Sequence, residues 1–388
     1  MKTYLTQHLF DGVQMHRNMH LQVDEGLIVA ILPASTSPLE ADESLDGLVC
    51  AGFIDTQVNG GGGVLFNHEP SFQSLQTMMR GHTKFGTTTM LPTLITDSGT
   101  IMQKAATAVK QAIETSLPGI AGMHFEGPHL SLAKKGIHPS EHVRSISDVD
   151  LMTFTRSDIG KVMITIAPEN VPPDIITDLV KHGVVVSLGH SAASFDLVQG
   201  AIEAGAIGFT HLFNAMSGLT AREPGMIASA LTDPRIFAGL IADLHHVHPI
   251  NCKLAYHCIG PSRLMLVTDA MAHVGSDMQS LPWLDSTITK VGNKLVLEDG
   301  SIAGSCLDMA GAVKNMFDLL SAGLPDDQPN DVLSEVLNMA SQVPANMLSL
   351  SDRGELKPGN RADFVLLNDD LQVKACWIDG KVVFDHLT

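Results

Sequence analysis

Short apolar runs and amphipathic stretches alternate along most of the chain. The strand-like runs are CAGFIDTQV, TTTMLPTLI, GIAGMHFEG, KVMITIAPE, GVVVSLGH, AIGFTHLF, FAGLIADLHH and RLMLVTDA. Between them apolar residues recur at helical spacing, as in SFQSLQTMMRGHTKFG, PDIITDLVKHG, SFDLVQGAIEAG and INCKLAYHCIG. Several of these stretches start at Ser, Asp or Pro and stop at Gly, as helices do. A strand–helix unit repeated eight times predicts an α/β fold of the (β/α)8 TIM-barrel type, with a doubly wound open sheet as the alternative.

The two ends read differently. Residues 1–52 and 350–388 alternate apolar and polar positions, with turn-type pairs at Asp46-Gly47 and Asp379-Gly380. In the tail, ADFVLL and ACWIDGKVVF read as strands, the second as a hairpin. Both ends are expected to meet in one small β-sandwich domain beside a barrel of residues 53–349.

The length of 388 residues suits one such barrel with an appendage. A formal net charge of -18 repels duplex nucleic acid and anionic membranes, which excludes both as partners. A small anionic substrate would need local cations or backbone N–H groups. Cys50, Cys252, Cys258, Cys306 and Cys376 are scattered without a CxxC pair, which predicts reduced thiols in the cytoplasm. The opening MKTYLTQHLFDG lacks the apolar core of a signal peptide, and no apolar run is long enough to cross a bilayer. A soluble cytoplasmic protein is expected.

Polar groups stand where the strand-like runs end. Asp55, Gln57 and Asn59 share one face of the first strand, just before four glycines. The third run ends at Glu126, the fifth at His190, the sixth at His211, the seventh at His246 and the eighth at Asp269. In a barrel these positions converge on the C-terminal mouth. One carboxylate and two imidazoles make a three-ligand set for a divalent metal, with a position left for water. Asp269 is then a carboxylate free to carry a proton. Any one of the 18 histidines is more often a hydrogen-bonded core or surface residue. The repeated placement after apolar strands is what carries the metal reading.

HFEGPHL, SLGHS, THLFNAM, REPG, DLHHVH, LVTDAMA and GSIAGS, in this order, resemble the N-acetylglucosamine-6-phosphate deacetylase group of the amidohydrolase superfamily. GFIDTQVNGGGG and KKGIH fit as well, and the likeness covers nearly the whole chain. The combination of HxEGP, THLFNAM and REPG is its specific part. The resemblance implies hydrolysis of N-acetyl-D-glucosamine 6-phosphate to glucosamine 6-phosphate and acetate. It implies one divalent metal per subunit on Glu126, His190 and His211, with zinc expected first and iron, manganese or cobalt as alternatives. Asp269 would take a proton from water and deliver it to the departing amine. Ile137 and His138 would meet the substrate, His138 by a hydrogen bond to the carbonyl oxygen or a sugar hydroxyl. Asn214 and Ala215 would bind the phosphate through side chain and backbone N–H. Arg222 would add charge from a partner subunit, so a homodimer is implied. His246 would sit by the phosphate or sugar, and Ile302, Ala303 and Gly304 would line the acetyl end.

Many amidohydrolases carry His-x-His at the end of strand one and hold a second metal with it. Here the positions read Gln57-Val58-Asn59. Neutral carboxamides bind transition metals poorly beside imidazole, so a single-metal site is expected, with Gln57 and Asn59 hydrogen-bonding behind it. His129, His245 and His273 depart from the group's usual residues. The alternatives are a deacetylase of a related N-acyl amino sugar phosphate such as the galactosamine epimer, a cyclic amidase, or a non-catalytic sugar-phosphate sensor.

Overall fold

The computed structural model describes residues 1–37, 39–325 and 329–386. Eight strands form one sheet: Phe53–Val58, Thr87–Ile95, Gly122–Glu126, Lys161–Ile166, Val185–Leu188, Gly208–Phe209, Phe237–Ile241 and Leu264–Val267, here barrel strands 1 to 8. Each pairs in parallel with the next in chain order. Strand 8 returns to strand 1 through the parallel bridge Val58↔Ala270 and the bond from Asp269 N–H to the Gln57 carbonyl, 3.0 Å. The sheet therefore closes, and the open doubly wound alternative falls. All nine residues of Thr87–Ile95 are buried, so the stretch shows no alternation of charged and apolar positions and its four threonines are inside with the rest.

Two buried polar devices sit under the mouth. His124 donates Nδ1–H to the Thr56 carbonyl (3.0 Å) and accepts at Nε2 from Thr165 Oγ1 (2.7 Å). Thr165 and Ser187 each meet Thr210 at 2.7 Å, so the chain of hydroxyls is closed within the barrel. Burial pushes the His124 imidazole down to about 4, which keeps it neutral in this chain. Asp55 closes the seam: it accepts from Thr268 Oγ1 at 2.5 Å and from the N–H groups of Gln57 and Thr268 at 3.2 and 3.3 Å. Burial outweighs these donors and pushes its carboxyl up to about 7.

The chain ends share one seven-stranded sheet. Its order is Lys381–Asp385, Val373–Ile378, Phe364–Leu367, Glu43–Ala51, Lys2–Phe10, Met15–Asp24 and Leu27–Pro33. The ends join where Ala51 pairs with Phe364. One face holds a core of its own, with Phe364 stacked on Trp377 at 4.5 Å and Trp377 Nε1–H donating to Tyr4 Oη at 3.1 Å. Residues of the other face, such as Cys50, Val365 and Leu367, join the barrel's core. Asp379-Gly380 is the expected hairpin turn, with φ of 51° and 69°. Asp46-Gly47 is not a turn. It lies inside the strand Glu43–Ala51, where the register against Lys2–Phe10 shifts between Thr6 and His8. Gly47 has φ 138°, and a Cβ there would come within 2.3 Å of the Leu367 carbonyl.

A third sheet was not expected. Ser280–Trp283, Ser286–Val291 and Lys294–Val296 pair antiparallel between barrel strand 8 and the helix Met309–Ser321. Leu281, Trp283, Ile288 and Leu295 pack on Leu65, Ile95, Met271 and Ala303. This small sheet covers one side of the mouth.

Candidate active site

Glu126 is the last residue of barrel strand 3 and is buried. Its Oε1 lies 3.1 Å from His190 Nε2 and 2.9 Å from His211 Nε2, and the two imidazole nitrogens are 3.0 Å apart. His190 donates Nδ1–H to the Lys134 carbonyl at 2.8 Å, which leaves a lone pair on Nε2. Burial raises the Glu126 carboxyl, but its close approach to the His190 and His211 rings outweighs it and holds the group well below its ordinary value. Burial lowers the His211 imidazole, and the Glu126 carboxylate more than restores it. Donors around a tetrahedral ion bound at about 2.1 Å stand about 3.4 Å apart, so the three fit a small divalent metal after slight expansion.

His138 also comes near. The donor atoms of Glu126, His138 and His190 also all lie within 4.8 Å of one another. The hydrogen bonding of His138 argues against ligation. Its Nδ1 accepts from the backbone N–H of Thr96 at 3.3 Å and meets Thr96 Oγ1 at 2.9 Å. The proton of the neutral ring is therefore on Nε2, facing the cavity as a donor. Burial and the neighbouring His190 keep this ring neutral, well below its ordinary pKa. His211 is the better third ligand.

Asp269 stands beside the cluster. Its Oδ1 accepts from Asn59 Nδ2 at 2.6 Å and from Gln57 Nε2 at 3.1 Å. The same Gln57 nitrogen donates to Glu126 Oε1 at 3.1 Å. Gln57 thus spends both amide hydrogens on the two carboxylates. Burial, then the Glu126 charge, pushes the Asp269 carboxyl up to about 6. The Oδ2 atom receives neither carboxamide.

The backbone is unusual at these positions. His190, His211, Ala215 and Asp269 have φ of 48°, 34°, 52° and 52°. A left-handed backbone is uncommon outside glycine and collects at functional sites, where the surrounding fold enforces it. Here it turns side chains from strand ends inward over the mouth.

A cavity of about 240 Å³ opens above the cluster. Glu126, Ile137, His138, His190, His211, Asn214, Ala215, His246, Asp269, Ile302, Gly304 and Asn59 all reach its wall. Gln57 and Ala303 lie behind the wall, fully covered. Arg222 does not reach this cavity and is exposed. The carboxylate of its neighbour Glu223 is spent on the N–H groups of Phe195 and Gly225, 2.8 and 3.1 Å. An Arg222–Glu223 ion pair is not what holds this loop.

Sequence reasoning left several residues out. Ile95, Gly136, Ile241 and Met271 also line the cavity. Asp243 accepts His246 Nδ1–H at 2.6 Å and the N–H of His245 and His246 at 2.9 and 2.8 Å. Of the paired histidines, His246 faces the cavity and His245 faces solvent. The ADLHHVH stretch carried that signal, since Asp three residues before His suits such a bond. His129 is structural: Nδ1 meets the Arg144 carbonyl at 3.0 Å and the ring packs on Phe154. His273 is buried outside the cavity.

The family description "Amidohydrolase family" matches residues 48–383. The chain belongs to the amidohydrolase family. As an amidohydrolase it is similar to the N-acetylgalactosamine-6-phosphate deacetylase of Shewanella sp. (strain ANA-3), 45% identical over 94% of this chain and 91% of that one. It is similar to the N-acetylglucosamine-6-phosphate deacetylase of Vibrio furnissii, 30% identical over 99% of this chain and 96% of that one. The crystal structure of N-acetylglucosamine-6-phosphate deacetylase from Pasteurella multocida superposes with a TM-score of 0.91 at 32% identity, covering 98% of this chain and 99% of that one. The motif resemblance and the barrel fold both hold. Among the described residues, no helix of this amidohydrolase is long and apolar enough to cross a membrane.

Proposed function

We propose that this amidohydrolase removes the acetyl group from an N-acetylhexosamine 6-phosphate, releasing acetate and the free amino sugar phosphate. The observation that carries the reading is the half-buried Asp269, held by two carboxamides on one oxygen, beside Glu126, His190 and His211. A sensor would have no use for a carboxylate so placed. N-acetylglucosamine 6-phosphate, giving glucosamine 6-phosphate, is the main reading. The galactosamine epimer is the second, and the 45% identity to a deacetylase named for it favours that choice.

One divalent ion on Glu126, His190 and His211, zinc first among them, would supply Lewis acidity and bring the pKa of water towards neutrality. The residues of the chain do the rest. His138 donates Nε2–H to the amide carbonyl oxygen as charge develops there. Asp269 accepts the proton of the attacking water at Oδ2 and passes it to the amine nitrogen as the C–N bond breaks. The carboxamides of Gln57 and Asn59 hold its other oxygen, so the proton-carrying edge keeps facing the cavity. With Gln57 spent on hydrogen bonds, a second ion at strand 1 has no good ligand. Asn214 and the N–H of Ala215 receive the phosphate, and His246, oriented by Asp243, approaches it or the sugar. Ile302 and Gly304 border the acetyl group, with Ala303 packed behind.

The test is acetate release from both 6-phosphate epimers and from unphosphorylated N-acetylglucosamine, with metal content measured on the same sample. We expect kcat/KM for the phosphorylated sugar to exceed that for the free sugar by about 100-fold, as one or two charge-assisted contacts supply. No acetate from metal-loaded protein with either epimer would overturn the reading.

Arg222 supplies its charge to the neighbouring site of a homodimer. Its exposure, and a neighbouring carboxylate committed elsewhere, support this role. Arg222→Ala and Asp269→Asn chains, each inactive alone, should regain about a quarter of wild-type activity when unfolded and refolded together, because half the dimers form one intact composite site. No gain on mixing would remove Arg222 from the partner's site. The five free cysteines support a cytoplasmic setting.

A further inference from the structure

The loop that follows barrel strand 3 carries Ile137 and His138 over the cavity. Ser131 N–H donates to the His190 carbonyl at 2.9 Å, and the Lys134 carbonyl accepts from His190 Nδ1 at 2.8 Å. Beyond Lys134 the backbone bonds are local, with Lys135 Nζ meeting the Gly136 and His138 carbonyls and His138 N–H donating to the Lys135 carbonyl, while the His138 ring is held at Nδ1 by Thr96. Gly136 turns there with φ 57°. Among the described residues, one hydrogen bond ties the stretch 135–137 to another part of the chain. Trp283 donates Nε1–H to the Ile137 carbonyl at 3.1 Å.

Trp283 is well placed to act as that anchor. It ends the strand Ser280–Trp283 of the small sheet and is 5% exposed. Its ring stacks on His68 with centroids 5.6 Å apart and planes at 23°. The sheet beneath it is packed on Leu65, Ile95 and Met271, which belong to the barrel mouth. The Ile137 side chain packs against the same cluster. The carbonyl that Trp283 holds is one peptide unit from His138.

We propose that Trp283 is a positioning residue for the reaction. It pins the backbone of the turn Gly136–His138 over the cavity, and so, with Thr96 holding the ring at Nδ1, aims the Nε2–H of His138 at the carbonyl oxygen of the bound amide. The small sheet is the rigid backstop that makes the anchor effective. This rests on the deacetylase reading above.

The test compares wild type with Trp283→Phe, which keeps a ring for His68 and loses the N–H. The substrate is whichever N-acetylhexosamine 6-phosphate the wild type hydrolyses. We expect kcat/KM to fall about tenfold, the scale of one lost hydrogen bond to a reacting loop, with metal content and melting temperature unchanged. A second measurement uses the fact that the chain has only two tryptophans. In Trp377→Phe, Trp283 is the sole tryptophan, and a saturating amount of the amino sugar 6-phosphate that the wild type releases should shift or quench its fluorescence. Unchanged kcat/KM in Trp283→Phe would overturn the proposal. So would a loss matched by falling metal content and melting temperature, or a Trp283 emission that product leaves unmoved. A wild type that releases no acetate would instead overturn the deacetylase reading itself.

Discussion

Asp269→Asn is expected to lower kcat about a thousandfold while metal content stays at the wild-type level, since general acid–base groups supply 10²–10⁴ in rate. Asparagine keeps the shape and the Oδ1 acceptor that Asn59 and Gln57 engage. It replaces Oδ2 with a nitrogen that has no basic lone pair, so the water proton has nowhere to go. The ligand set of Glu126, His190 and His211 is untouched. The wild type should also show an acid limb. Burial and the Glu126 charge push the Asp269 carboxyl up to about 6, so it gains a proton already as pH falls through that value. The base form is the active one, so kcat/KM falls with it below about pH 6, and the residual activity of the variant lacks this limb. Wild-type turnover in the variant would remove Asp269 from proton transfer. Loss of metal together with loss of rate would make it a ligand instead.

Glu126→Gln is expected to strip the site. Glu126 is the only anion in the proposed ligand set, and its Oε1 is the atom on which both imidazoles and Gln57 converge. Removing partners that merely orient metal ligands costs 10–100-fold in affinity, so losing the anionic ligand should cost more than about 100-fold. Dialysed variant should hold little metal and release no measurable acetate, while its circular dichroism stays that of the wild type. The imidazoles keep their places through other bonds, such as His190 to the Lys134 carbonyl. Full metal occupancy after dialysis would sink the assignment of Glu126 as a ligand.

Much of this architecture was legible in the chain. Fully buried parallel strands read as unbroken apolar runs, so all eight barrel strands were found, even Gly208–Phe209, which forms only two ladder residues. Polar residues at the ends of such runs have one place to go in a barrel, and that placed Glu126, His190, His211 and Asp269 together. What escaped depends on geometry that sequence does not encode locally. The left-handed φ of His190, His211 and Asp269 falls on residues that carry no glycine-like signature. Ile95, Ile241 and Met271 look like any core residue until the wall of the cavity is drawn. The pair His245-His246 offers two equal candidates, and only the bond from Asp243 selects one. The sheet of residues 280–296 was readable in STITKVGNKLV, an alternating stretch broken at Gly-Asn. Asp46-Gly47 misled for the opposite reason: the dipeptide that favours a hairpin also suits a bulge, and only its strand neighbours decide.

The pairing of Ala51 with Phe364 joins two partners that stand on either side of the whole barrel in the chain. A ribosome adding 5–20 residues per second takes tens of seconds to travel from one to the other. Throughout that interval the strand Glu43–Ala51 has emerged without the neighbour that covers its edge, and the aromatic trio of Tyr4, Phe364 and Trp377 cannot assemble. The barrel can close while the small domain waits. Synthesis therefore imposes an order on this fold: all eight barrel strands emerge before Phe364–Leu367 can cover the edge of Glu43–Ala51.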